Sequence, residues 1–97
     1  MILRQTFSQP IGGFWDGGPK SVFDWTIDGT PHVGSWYMDL PRRYHKTRMV
    51  RVGSWEANCF FTVPVGKTDK HTLSNARRRL AHRARKAGNS CTFEYVR

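Results

Sequence analysis

The side chains here that could move a proton, hold a metal ion or attack an electrophile are few. His32, His45, His71 and His82 could serve as general acid and base, and Asp16, Asp24, Asp28 and Asp39 could hold a divalent ion for phosphodiester cleavage. Their order in the chain argues against both. There is no HxxxH, no pair of carboxylates at helical spacing and no Ser-His-Asp context, and "GGFWDGG" at 12–18 lacks the Lys-Ser/Thr of a phosphate-binding loop. His71 and His82 fall about three helical turns apart, too far to share a ligand. Each histidine is expected on a surface or in a loop. Cys59 and Cys91 lack a second thiol close by, so they fit neither a zinc ribbon nor a disulfide framework, and are expected as buried reduced thiols. The expectation is a protein that is not an enzyme, with no catalytic residue, cofactor or metal.

Cationic side chains carry the stronger signal. The 97 residues have a net charge of +9, and the charge is placed unevenly. Residues 1–40 hold Arg4 and Lys20 against four aspartates, whereas 41–52 hold Arg42, Arg43, Lys46, Arg48 and Arg51 with no acid. Residues 67–87 hold Lys67, Lys70, Arg77, Arg78, Arg79, Arg83, Arg85 and Lys86 against Asp69 alone. Clustered like charges repel one another unless something neutralises them, so two basic blocks on a near-neutral body point to a polyanionic partner. Arginine suits phosphate because its planar fork makes two parallel hydrogen bonds, and it can also reach guanine O6 and N7.

Aromatic residues form the third group. "VGSW" occurs at 33–36 and 52–55, but the flanks "YMDL" and "EANC" differ, so this is no internal repeat. In both copies a Gly follows a β-type Val and precedes Ser-Trp. Gly in a strand marks a bulge or a close approach that a nearby ring can cover. The first copy reads as mid-strand and the second as the entry to a turn. Trp15, Trp25, Trp36 and Trp55 cannot all be buried easily on one covered sheet face. At least one is expected at the surface, Trp15 first, and Trp15, Trp36 and Trp55 are candidates for base stacking or partner binding.

These residues must be positioned by a small set of elements. "KSVFDWTI" alternates Phe23, Trp25 and Ile27 with Val22, Asp24 and Thr26. It then meets Asp28-Gly29, predicting a hairpin whose second strand is "PHVGSWYMDL". A second hairpin is expected from 47–54 against 58–65, with Cys59, Phe61 and Val63 on one face and Pro64 at a strand edge or end. Val50 and Val52 should share a face, with Met49 and Arg51 on the other. A helix is expected over about 73–87, with N-cap candidates Asp69, Thr72 and Ser74. Its narrow stripe is Leu73, Ala76, Leu80, Ala84 and Ala87, and Gly88-Asn89 stops it. Arg78, Arg79, His82, Arg83, Arg85 and Lys86 should point away from that stripe, so changing Arg78, Arg79 and Arg83 together to Ala should leave the fold intact. "CTFEYVR" returns to the sheet, and "ILRQTFSQ" is the first strand.

The expected fold is therefore a single α+β domain over 1–97. It has a mainly antiparallel sheet of about five strands, and one basic C-terminal helix followed by a last strand. The run "FTVPVGKTDKHTLSNARRRLAHRARKAG" is similar in style to the short basic strand-helix-strand ends of small bacteriophage proteins; the resemblance implies a phage origin and assigns no residue a role. With no apolar run long enough for a membrane span and no signal-peptide pattern, the chain reads as cytoplasmic, or nucleoid-associated if it binds DNA. The expected partner is nucleic acid, with duplex DNA favoured over RNA or a single strand. Contact would come through Arg42, Arg43, Lys46, Arg48 and Arg51 between strands, and through Lys70, Arg78, Arg79, Arg83, Arg85 and Lys86 on the helix. The alternative is a module that docks on an acidic protein surface, and a homodimer through a free sheet edge is compatible with either.

Overall fold

A computed structural model describes residues 1–12, 18–33 and 47–97. Its elements are β1 (Ile2–Ile11), β2 (Lys20–Ile27), β3 (His32–Val33), β4 (Arg48–Ser54), β5 (Cys59–Pro64), α1 (Asp69–Lys86) and β6 (Cys91–Val96). The fold is α+β: a six-stranded sheet, antiparallel in its pairings, with one helix followed by a last strand. β1 lies between β2 and β6, while β4 lies between β2 and β5, so β5 and β6 form opposite edges. The helix therefore crosses one face of the sheet on its way from β5 to β6.

Period-two alternation decides which side chains meet that helix. Leu3 on β1, Phe23 and Trp25 on β2, Val50 and Val52 on β4, and Phe61 and Val63 on β5 face Leu73, Ala76 and Leu80 of α1 in one core. Gln5 is buried in the same layer and both of its amide heteroatoms have a partner: its Oε1 accepts from Trp25 Nε1 at 3.0 Å and its Nε2 donates to Cys91 Sγ at 3.5 Å. Met49, on the opposite face from Val50 and Val52, is also buried.

The expected hairpin across Asp28-Gly29 is not formed by the described residues. β3 pairs with β4 (His32↔Met49, Val33↔Arg48), along the same β4 edge that β2 uses (Thr26↔Gly53, Ile27↔Val52). Asp28-Gly29-Thr30-Pro31 thus bends a strand that keeps its direction, with Gly29 at φ +130° and Asp28 N donating to Arg51 O at 2.8 Å. The reason is competition: β4 takes the free edge of β2, which brings Val50 and Val52 into the layer beneath the helix. The second hairpin forms as expected, with Ser54↔Cys59 to Met49↔Pro64 in register and Pro64 ending β5.

The helix starts earlier than its apolar stripe suggests. Thr68 is the N-cap and accepts from His71 N at 3.1 Å, in place of Asp69, Thr72 or Ser74. Thr72 is buried instead; its hydroxyl accepts from Gly66 N at 2.9 Å and donates to Thr68 O at 3.2 Å. At the other end Asn89 N donates to Ala84 O and Gly88 N to Arg85 O, with Gly88 at φ +75°. This is the paired bonding that closes a helix on a left-handed glycine. Ala87, expected on the stripe, is the exposed C-cap. Both cysteines are free and half-buried rather than fully buried, because each sits at the first position of a strand on a sheet edge.

Candidate functional site

The helix sequence places cations on every side that does not face the sheet. Lys70, Arg77, Arg78, Arg79, Arg83, Arg85 and Lys86 are all exposed. Their environments divide them into two flanks and a crest. On the β5 flank the guanidinium carbons of Arg79 and Arg83 each lie 4.8 Å from the centre of the Phe61 ring. Arg79 Nη1 also donates to Thr62 O at 2.7 Å, and Arg83 Nη1 approaches Cys59 Sγ at 3.7 Å. On the β6 flank Arg77 lies 5.3 Å from the Phe93 ring centre and Lys70 Nζ lies 5.2 Å from that of Tyr95. These four set their charged heads over rings at the margin of the core while remaining exposed to water. The expectation that Arg79 and Arg83 stand clear of the fold is thereby corrected.

Arg78, Arg85 and Lys86 form the crest, joined by the exposed His82. Among the described residues none of the three makes an ion pair. The described acids are engaged or placed elsewhere. Asp24 holds Arg4, with Nε to Oδ1 at 2.9 Å, and Asp28 holds Arg51 on β4. Glu56 accepts from Ser54 Oγ at 2.9 Å, and Asp69 sits in the first helical turn, where the macrodipole favours it. Arg4 gains most from its hydrogen bond to Asp24, next from the charge of Asp24 and less from Glu94, and together these raise its pKa further. A raised folded-state value means that the arginine's contribution is full below the ordinary arginine range and fades only above it.

On the sheet face away from the helix stands a second group. Gly53 and Phe60 are cross-strand partners, and the Phe60 ring occupies the space above the glycine, leaving no room for a Cβ there. Trp55, in the turn between β4 and β5, meets Phe60 edge-on with ring centres 5.0 Å apart, and Arg51 Cζ lies 4.9 Å from the Phe60 centre. The second "VGSW" enters a turn as expected, but the ring over its glycine comes from the partner strand rather than from beside it in the motif. The ring is Phe60, a residue that adjacent sequence did not single out and that the partnering of Gly53 with position 60 in the hairpin identifies.

Of the residues singled out from the sequence, Lys70, Arg78, Arg79, Arg83, Arg85 and Lys86 share α1. Arg48 and Arg51 are exposed on β4, while Trp55 is separated from the helix by the thickness of the sheet. Arg42, Arg43, Lys46, Trp15 and Trp36 lie outside the described residues. Trp25 is core, and the tryptophan observed at the surface is Trp55. Arg77, absent from the sequence-based set of contacts, belongs to the β6 flank.

A cavity of about 470 Å³ opens between the C-terminal half of the helix and the sheet, walled mainly by Phe7, Ile11, Phe23, Trp25, Leu80 and Ala84. Its polar groups include Gln5, already bonded, and Arg83. Among the described residues no three of His, Cys, Asp and Glu come together as metal ligands, and no helix is long and apolar enough to cross a membrane. Comparison of the chain with protein-family models, with curated proteins and with solved structures gives no match, so the arrangement of charge and rings on the two faces is the basis for any reading of function.

Proposed function

We propose that this protein binds nucleic acid through the phosphate backbone, with the crest of α1 as its principal contact, and that its role is binding rather than catalysis. The observation that carries this reading is the crest itself. Arg78, Arg85 and Lys86 stand together on the C-terminal half of the helix without an acidic partner among the described residues, although the same chain pairs Arg4 and Arg51 with aspartates. Cations held close together in this way repel one another, and a polyanion relieves the repulsion while releasing its own condensed counterions. Lys70, Arg77, Arg79 and Arg83 widen the field, and Arg48 adds a cation from the sheet. Duplex DNA, with one charge per about 1.7 Å of axis, is the first form to test. Such binding would place the protein with the nucleoid in the cytoplasm.

The test is fluorescence anisotropy with labelled duplex DNA over a series of salt concentrations, comparing wild type with R78A/R85A. Wild type should show a log Kd that rises linearly with log salt. If both arginines contact phosphates, the variant should bind more weakly and its slope should shrink by about 2, since each phosphate contact contributes about 0.9. No binding at low salt, or an unchanged slope in the variant, overturns the proposal.

A second reading has one observation in its favour. Trp55 is 71 % exposed and stands near Arg51 and Phe60, the residue types that anchor protein interfaces. On that reading the basic surface docks on an acidic partner protein. Loss of such a complex in W55A, with duplex binding absent in the wild type, would favour it.

A further inference from the structure

Trp55 is the most exposed of the large hydrophobic side chains among the described residues, yet it is not loosely placed. Beneath it Phe60 is held on three sides: by the bare backbone of Gly53, by the Arg51 guanidinium 4.9 Å from its centre, and by Trp55 itself in a T-shaped pair with ring centres 5.0 Å apart. Arg51 is itself tethered, since its Nε donates to Asp28 O at 3.2 Å and its guanidinium pairs with the Asp28 carboxylate. Glu56, the next residue in the chain, has its carboxylate engaged by Ser54 Oγ at 2.9 Å. The result is a large aromatic surface, preorganised by its neighbours, with a cation beside it and open to solvent.

We infer that Trp55, supported by Phe60 and Arg51, is a stacking site for an unpaired nucleobase. The inference rests on the nucleic-acid reading above and adds the form of nucleic acid that the sheet face selects. A base inside a duplex already has neighbours on both faces, so an indole can stack only on a base that is unpaired or at a duplex end. The position of β5 sharpens the choice. Arg79 and Arg83 reach this edge strand from the helix side, where Arg79 caps Thr62 O, while Phe60 and Trp55 present themselves on the far side of the sheet. A strand with phosphates on those arginines and a base on Trp55 must fold round a single β-strand. Single-stranded nucleic acid can do so, whereas a duplex with a persistence length of about 150 base pairs cannot.

The experiment compares a blunt duplex with the same duplex carrying a short single-stranded tail, by anisotropy at fixed salt, for wild type, W55A, W55F and R78A/R85A. Wild type should bind the tailed duplex more tightly. W55A should bind it about 5- to 100-fold more weakly than wild type while matching wild type on the blunt duplex, and W55F should keep part of the preference. Should W55A fold poorly, tailed-duplex quenching of tryptophan emission that is present in wild type and missing in W55F gives the same answer. Equal binding of the tailed duplex by wild type and W55A, or quenching unchanged in W55F, overturns the inference. If wild type binds blunt and tailed duplexes alike and R78A/R85A weakens both, the stacking site is wrong and the phosphate-binding crest stands. If wild type binds neither, both are wrong.

Discussion

At the scale of single residues, the helix arginines do two different jobs that their shared type conceals. Among the described residues Arg78 makes no ring contact, side-chain hydrogen bond or ion pair, while the guanidinium groups of Arg79 and Arg83 each lie 4.8 Å from the centre of Phe61, which is 9 % exposed. Cation–ring contacts at exposed sites contribute about 0.5–1 kcal/mol each, and the aliphatic stems add cover. R79A/R83A is therefore expected to lose about 1–2 kcal/mol of stability in urea unfolding, with R78A unchanged. Equal losses in the two proteins would show that the stacking contributes nothing. None of this was legible in the sequence, because Phe61 and the arginines that roof it are brought together only when α1 crosses β5. Gln5 escaped for the same reason: its partners Trp25 and Cys91 come from β2 and β6.

Elements whose contacts are local were legible, and those assembled from distant segments were not. The β4–β5 hairpin and the body and end of α1 followed from periodicity, Pro64 and Gly88. The helix start did not, because Thr68 lies one turn before the apolar stripe and Thr72 hides in the core as a polar residue. That cap is open to test. T68A removes the acceptor for His71 N, and about 1 kcal/mol of stability should go with it, read as a lower urea midpoint at unchanged m-value. T68S should recover most of the loss; failure to do so would assign the effect to something other than the cap. The misplaced hairpin at Asp28-Gly29 has the opposite lesson. Asp-Gly was read as a turn that reverses the chain, and the chain bends there without reversing, because reversal depends on which strand claims the neighbouring edge, and β4 is twenty residues further on.

For the whole molecule, the sheet is completed by its two sequence extremes. β1 carries Leu3 and Gln5 into the core and has β2 on one side and β6 on the other, from Ile2↔Val96 to Phe7↔Cys91. Removal of residues 91–97 should leave β1 with an open edge, Gln5 without its sulfur partner and the helix with one flank uncovered. Because a domain of this size has only about 5–15 kcal/mol to lose, the shortened chain is expected to lose its cooperative thermal transition and its near-ultraviolet circular dichroism. A shortened protein that melted like the parent would make β6 dispensable. The pairing also fixes an order of events in the cell. Gln5 and Cys91 are 86 positions apart, so β1 leaves the ribosome with only β2 in prospect as an early neighbour and waits through the synthesis of β4, β5 and the helix for its second. Throughout that interval the nascent chain carries an open seam beside its future core, where another chain could insert, and translation that stalled before residue 91 would leave the seam unclosed.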